Sequence, residues 1–326
     1  MNANLKLLIQ DEIKRDGPMR LDRFMGLCNA HYYASRDPLG RAGDFVTAPE
    51  VSQMFGEVIG AWAAQAWMDM GSPSAFVLLE LGPGRGTLMA DMLRAVSGVA
   101  GFAAAARVHL VETSPVLRAA QGAVLKGYDP QWHDDLGGVP DDLPIIVVAN
   151  EFFDALPVRQ EVERDGVWQE RLIAVDLTWN ITPLSTEKVR EVSPAREVVM
   201  AQLAQRMARG AAAGLVIDYG HAWSGFGDTF QAVKAHEYVD PLMHIGEADL
   251  TSHVDFEVLA RVAADAGVHV EPLMEQGAFL KAMGVEARAA YLKGKGAANV
   301  EADLARLIAP EQMGKLFKVM VMRYGQ

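Results

Sequence analysis

Glu80-Leu81-Gly82-Pro83-Gly84-Arg85-Gly86-Thr87-Leu88 decides how this chain is read. It joins an apolar run, Ala75–Leu81, to a stretch with helical spacing, Thr87–Ala95, and so reads as a buried strand, a glycine turn and a helix. Gly82, Gly84 and Gly86 let the backbone turn sharply and let a ligand touch main chain where a Cβ would collide. The spacing is G-x-G-x-G. A dinucleotide fingerprint needs G-x-G-x-x-G, with a pyrophosphate on the helix N-terminus, and the chain has no G-x-x-x-x-G-K-[ST] phosphate loop. The turn therefore suits a ligand that carries a nucleoside and no diphosphate.

Further buried runs follow at Val108–Val111, Ile145–Ala149, Gly214–Tyr219 and Leu316–Arg323, with helical stretches such as Asp255–Ala266 among them. Strands apolar on both faces, alternating with helices, imply an α/β fold whose mostly parallel sheet is covered on both sides. Between the third and fourth core strands lies an insert at about 158–195. In it Val158–Arg164 and Val167–Val175 flank Asp165-Gly166, the signature of a β-hairpin with a type I′ turn. Ser193-Pro194 opens the next helix as cap and first residue. Upstream, residues 1–70 read as an N-terminal helical region packing on a core of 71–326. One helix ends at Gly17-Pro18, and a second runs from about Leu21 to Ala30. A third spans Ala48 to about Met70, started by Thr47-Ala48-Pro49-Glu50 as a capping box.

Two acidic residues sharpen the ligand reading. Glu112, at the end of the second core strand, is placed to accept both ribose hydroxyls, as the acidic residue of dinucleotide folds does. Glu80 stands beside the loop. A ribose, no phosphate, an ammonium and a sulfonium describe S-adenosylmethionine (SAM), with Glu80 near its methionine end. The alternative is a glycine-rich turn with Glu112 on the surface. For the adenine, Gln131-Trp132-His133-Asp134-Asp135 offers Asp134 to the exocyclic amine; the same residues also read as a polar loop anchored by one Trp.

The third core strand ends Asn150-Glu151-Phe152-Phe153-Asp154-Ala155-Leu156-Pro157. Ligands of doubly wound sheets bind beyond the carboxyl ends of strands, so this stretch reads as a wall around a methyl acceptor. Carboxylates suit a guanidinium, whose delocalised lone pairs make it a weak nucleophile: bonded to part of the fork, they hold its plane and bias charge away from the attacking nitrogen. Glu151 is the first choice for that role and Asp154 the second, with Asn150 beside them and His133 a further proton acceptor. The bland reading makes Asn150 and Asp154 partners of turn backbone and the phenylalanines core.

Composition excludes several classes. The chain has 326 residues, half of them hydrophobic, and 30 basic against 42 acidic side chains, a net charge of −12. That acidity argues against nucleic acid as a partner, because phosphate contacts need a basic surface. A single cysteine, Cys28, cannot form an internal disulfide. No segment reaches the roughly 20 apolar residues of a membrane span, and the first residues lack the apolar core of a secretory signal; a bacterial-type cytoplasmic protein is expected. His244, Glu247, His253 and Asp255 superficially suggest a metal box, yet match no H-E-x-x-H or zinc spacing, so no metal is expected and a helix start or lid is the better reading.

Tyr32-Tyr33, Pro38-Leu39-Gly40, Gly43 to Glu50, Phe55-Gly56-Glu57, Glu80 to Leu88, Asn150 to Pro157, Asp218-Tyr219-Gly220 and Gly246 to Phe256 occur in that order. Together they resemble the MidA family, whose eukaryotic member is a mitochondrial complex I assembly factor and protein arginine methyltransferase. The resemblance implies a class I SAM-dependent methyltransferase fold, Rossmann-like with a mostly parallel seven-stranded sheet. It implies Gly82, Pro83, Gly84, Gly86 and Thr87 along SAM, Asn150, Glu151 and Asp154 by the acceptor, and the Gly43-Asp44-Phe45 turn closing over the pocket. For the mitochondrial relatives it further implies a matrix location and symmetric dimethylation of an arginine on a complex I subunit. Another acceptor, or an idle assembly factor keeping the fold, are the alternatives.

Overall fold

Seven buried or half-buried strands build the centre of the computed structural model, which describes residues 2–35 and 47–325. They are β1 (Phe76–Leu81), β2 (Ala106–Val111), β3 (Gln131–His133), β4 (Ile145–Asn150), β5 (Ala212–His221), β6 (His269–Val270) and β7 (Phe317–Tyr324). Their spatial order is β3-β2-β1-β4-β5-β7-β6. Strands β1 to β5 pair in parallel, and β7 runs antiparallel to β5. Two-residue pieces at Val254–Asp255 and Met274–Glu275 extend the sheet beside β5 and β7. The order reverses between β1 and β4, which leaves a crevice above their carboxyl ends.

The period of two in the strands sorts the core onto both faces. Leu78, Leu110, Val148, Leu215 and Val321 point to the side covered by α3 (Gln53–Asp69) and α4 (Thr87–Ala95). Leu79, Val147, Val216 and Met320 point to α6 (Pro194–Met207) and α7 (Phe256–Asp265). Helices α3 and α4 pack backbone to backbone, because a Cβ on Gly60 would lie 2.8 Å from the Met92 main chain. Beside that contact the buried Glu57 accepts from Arg94 at 2.7 Å and from Arg288 at 2.6 Å.

A third core lies apart from the sheet. There α1 (Asn2–Asp16) and α2 (Leu21–Ser35) place Ile9, Ile13, Phe24, Met25 and Cys28 against Val158, Ile173 and Leu250. The insert hairpin pairs Arg159–Arg164 with Val167–Glu170 through Asp165 and Gly166 at φ 53° and 75°, both left-handed as a type I′ turn requires. Lys188–Val192 adds a third strand, and Leu172–Ile173 pairs with Met19–Arg20 near the start of α2.

The expected third helix is interrupted. One turn, Ala48–Val51, ends at Ser52, whose φ of −160° and ψ of 139° are extended, and α3 starts afresh at Gln53 with Ser52 as its cap. Nor is there a capping box: Thr47 makes no side-chain cap bond, and Glu50 instead accepts the Thr87 hydroxyl at 2.6 Å and faces Arg85 at 3.6 Å. A hydroxyl and a guanidinium from the glycine loop and α4 out-compete the local amide for that carboxylate. Helix α2 also runs one turn past Ala30, to Ser35.

Candidate functional site

The glycine loop leaves β1 with Gly82, Gly84 and Gly86 at φ 63°, 53° and 84°, a run of left-handed residues that side chains resist. At Gly82 a Cβ would also sit 2.9 Å from Phe152 Cδ2. Gly82, Pro83, Gly84 and Arg85 line one end of a cavity of about 820 Å³, joined by Thr87, Glu80, Glu112, Ser114, Leu117, Asp134 and Leu136, whereas Gly86 does not line it and packs against Gln121. Glu80 is 2% exposed, and burial pushes its carboxyl up to about 8 although the Met89 amide faces it. Its Oε2 has no partner. Glu112 is likewise raised by burial, and accepts from the Ser114 amide at 2.7 Å and from Gln121 Nε2 at 3.2 Å. Asp134 stands at the rim, its side chain 82% exposed and ion-paired to Arg118 at 2.6 Å.

Gln121 has no counterpart in the sequence reading, yet it organises this end. From α5 (Pro115–Val124) its amide donates to the Gly84 carbonyl at 2.7 Å as well as to Glu112, and its oxygen accepts from Trp132 Nε1 at 2.8 Å. One buried side chain thus fixes the glycine loop, the acidic strand end and the indole. A lone Gln on the inner face of an amphipathic helix carries no spacing that would have marked it.

The other end of the cavity is rich in carboxyl groups. Asn150, Glu151, Phe152 and Asp154 line it at the end of β4. Glu151 holds a left-handed φ of 49°, strain of the kind that gathers at functional sites. Its Oε1 accepts from the Ala48 amide at 3.0 Å and from Asn150 Nδ2 at 3.3 Å, and burial, with the Asp154 and Asp249 charges adding to it, pushes its carboxyl up to about 8. Asp154 is raised by burial, with Tyr219 beside it in the cavity wall. Asn150 Oδ1 and Asp154 Oδ1 are buried without partners. Behind them Asp218 accepts the Phe153 and Asp154 amides at 3.0 and 3.1 Å, so the turn's backbone is satisfied from β5. Arg196 spends its donors on the carbonyls of Phe153, Asp154, Ser252 and His253 and on the Ser252 hydroxyl.

Several expected residues fall elsewhere. His133 turns away from the cavity to stack on His109, with their ring nitrogens 2.8 Å apart; His253, edge-on to Tyr219, lines the cavity instead. Glu247 pairs with Lys234 at 2.6 Å, and Asp255 caps α7 by accepting from the Val258 amide. Among the described residues no group of three or more His, Cys, Asp or Glu could hold a metal. The Gly43-Asp44-Phe45 turn lies outside the described residues. Asn29, Tyr33, Tyr219, Gln231, Asp249 and Thr251 also line the cavity, and the sequence reading assigned none of them to it.

A parallel sheet with an antiparallel seventh strand between β5 and β6, and a glycine loop at the switch point, define a class I methyltransferase. The chain belongs to the family described as "Putative S-adenosyl-L-methionine-dependent methyltransferase", matched over residues 58–274, and its cofactor is SAM. It is 37% identical to the mitochondrial protein arginine methyltransferase NDUFAF7 homolog of Drosophila melanogaster, over 99% of this chain and 86% of that one. With human protein arginine methyltransferase NDUFAF7, also mitochondrial, it shares 35% identity over 94% of this chain and 80% of the relative. In fold it is similar to a Burkholderia thailandensis protein bound to S-adenosyl-homocysteine, with a TM-score of 0.86 at 24% identity, covering 99% and 92% of the two chains. The chemistry of the loop end fits the cofactor: Gly82 and Gly84 present main chain to the cavity, and a buried carboxyl oxygen of Glu80 has no partner there. Among the described residues no helix is long and apolar enough to cross a membrane.

Proposed function

We propose that this methyltransferase modifies a protein, at arginine. The observation that carries the reading is the carboxyl-rich end of the cavity, where Asp154 Oδ1 and Asn150 Oδ1 are buried without partners beside Glu151. Such a wall suits a planar cation better than a neutral side chain. The names of the mitochondrial relatives, protein arginine methyltransferases, support it.

On this reading Gly82, Pro83, Gly84, Gly86 and Thr87 lie along SAM, Glu80 near its methionine end, Glu112 on the ribose hydroxyls and Asp134 by the adenine amine. When bound, SAM supplies a methyl group made electrophilic by its sulfonium. Glu151 and Asp154 hold the acceptor guanidinium in plane, with Asn150 fixing Glu151, and alignment supplies much of the rate. A carboxyl poised near 8 is also matched to taking the proton that leaves the product nitrogen. A respiratory complex I subunit is the acceptor protein this reading puts first, and the cytoplasm the location of this chain.

The test is mass spectrometry of a complex I subunit preparation incubated with SAM and the parent chain or Glu151→Gln. Arginine should gain steps of about 14 Da per methyl with the parent and none with the variant, which should still bind SAM. Methyl groups on lysine alone, or on no protein, would count against arginine; SAM binding without transfer would favour an assembly factor that keeps the fold.

A further inference from the structure

The short turn at 47–51 joins the two ends of the cavity. On one side Glu50 accepts the Thr87 hydroxyl at 2.6 Å and faces Arg85 at 3.6 Å, which seats it on the glycine loop and the start of α4. On the other the Ala48 amide donates to Glu151 Oε1 at 3.0 Å. The amides of Glu50 and Val51 donate to the Thr47 carbonyl at 2.9 and 3.1 Å, so the turn is one hydrogen-bonded unit. Thr47, Pro49 and Glu50 line the cavity, and Ala48 is fully buried.

The break at Ser52 belongs to this arrangement. Its extended backbone separates the turn from α3, so residues 47–51 take their direction from what they touch and not from the helix packed on the sheet. At the far side Glu151 holds its left-handed φ of 49°, which a non-glycine residue keeps only when its surroundings over-determine it. The Ala48 amide and Asn150 Nδ2 both bond its Oε1. Helix α2 ties the same two regions again, with the Ser114 hydroxyl donating to the Tyr33 carbonyl at 2.7 Å and Asn29 Nδ2 to the Ala155 carbonyl at 3.0 Å. Those bonds end on main chain, whereas the 47–51 turn ends on the Glu151 carboxyl itself.

Resting on the arginine reading for what Glu151 does, we propose that Glu50 is a positioning residue of the transfer site. It seats the 47–51 turn on the Thr87 hydroxyl, and the seated turn aims the Ala48 amide that fixes the Glu151 carboxyl. Glu50 acts through Ala48 and Glu151 and not on the reacting atoms. A side chain at the donor end thereby sets the geometry at the acceptor end.

The experiment uses the full chain, labelled with [δ-13C]glutamate and free of cofactor, and follows the Glu151 carboxyl signal by NMR as pH is varied. Loss of that signal in Glu151→Gln identifies it, and in the parent its midpoint should lie near 8. Glu50→Ala should move the midpoint up by about half a pH unit or more, because the ionised carboxylate loses a donor. Removing the Glu50 charge by itself would move it down, so the sign separates the two effects. Glu50→Gln keeps an oxygen for the Thr87 hydroxyl and should hold the midpoint at or just below the parent's. Thr87→Val cuts the tie from its other side and carries the titration if Glu50→Ala does not fold. With a complex I subunit preparation and SAM, Glu50→Ala should lower kcat at least about tenfold while KM for SAM moves less than about threefold. Glu50→Gln should restore most of that loss. A midpoint that stays or falls in both Glu50→Ala and Thr87→Val overturns the proposal, as does a kcat equal to the parent's or a loss carried by KM for SAM. A parent that methylates no arginine overturns the arginine reading, and the titration then decides by itself whether Glu50 orients Glu151.

Discussion

Gln121 Nε2 lies 2.7 Å from the Gly84 carbonyl and 3.2 Å from Glu112 Oε2, so one amide couples the glycine loop to the carboxylate at the end of β2. Gln121→Leu keeps the volume and removes the coupling. It leaves buried acceptors without donors, at a cost of roughly 1–3 kcal/mol each. We expect a lower melting temperature together with a SAM affinity reduced by about tenfold or more, read by thermal denaturation and titration calorimetry. A variant that melts lower but binds SAM as the parent does would confine Gln121 to the fold.

Gly84 has a left-handed φ of 53° in the middle of the loop. A β-branched side chain there meets a backbone penalty of about 1–2 kcal/mol, at a residue that lines the cavity. Gly84→Val should abolish SAM binding in calorimetry while the chain remains folded by circular dichroism. Unchanged affinity would remove the loop from the cofactor site.

Glu80 and Glu151 both titrate near 8 in the folded chain, against an ordinary 4.5. Between those values the folded chain keeps protons that the unfolded chain has lost, so each carboxyl's contribution to stability is full below 4.5 and lost as pH rises through about 8. The melting temperature of the SAM-free protein should therefore fall across that window, and Glu80→Gln should flatten the fall. A cationic ligand favours the ionised forms, so SAM binding near neutral pH should release protons. Calorimetry in two buffers of different ionisation enthalpy reads that release; identical heats would separate these carboxyls from the ligand.

Ser52, and not Thr47, caps the helix that packs on the sheet, its Oγ accepting from the Met54 amide at 3.3 Å. Ser52→Ala should cost about 1 kcal/mol in urea denaturation, and Thr47→Ala much less through capping. Equal losses would mean that Thr47 holds the segment by another contact.

The Thr47 case shows where sequence reading stops. The S/T-x-x-E pattern is local, whereas the fate of Glu50 is set by the Thr87 hydroxyl, 37 residues away. By contrast five of the seven strands were legible to within a few residues, since stretches such as Val77 to Leu79 and Ile145 to Ala149 must be apolar on both faces whatever surrounds them, whereas Gln131–His133 and His269–Val270 are too short and too polar to announce themselves. The glycine loop and Glu112 were legible because strand–turn–helix context restricts what three glycines are for. His133 was misplaced because one ring beside Asp134 carries no sign of whether it faces the cavity or His109. Tyr33 and Asp249 read as unremarkable until α2 is packed, because nothing in their spacing says that a helix near the start of the chain closes the far end of a cavity built by strands.

Arg196 gives that cavity its mechanical character. By gripping the carbonyls of residues 153 and 154 on one side and of 252 and 253 on the other, its flat head acts as a keystone between two turns that also meet directly, the Ser252 amide donating to the Asp154 carbonyl at 3.1 Å. On the proposed reading, the turn that carries Glu151 and Asp154 is thus braced from behind, and an incoming side chain meets an outline already drawn.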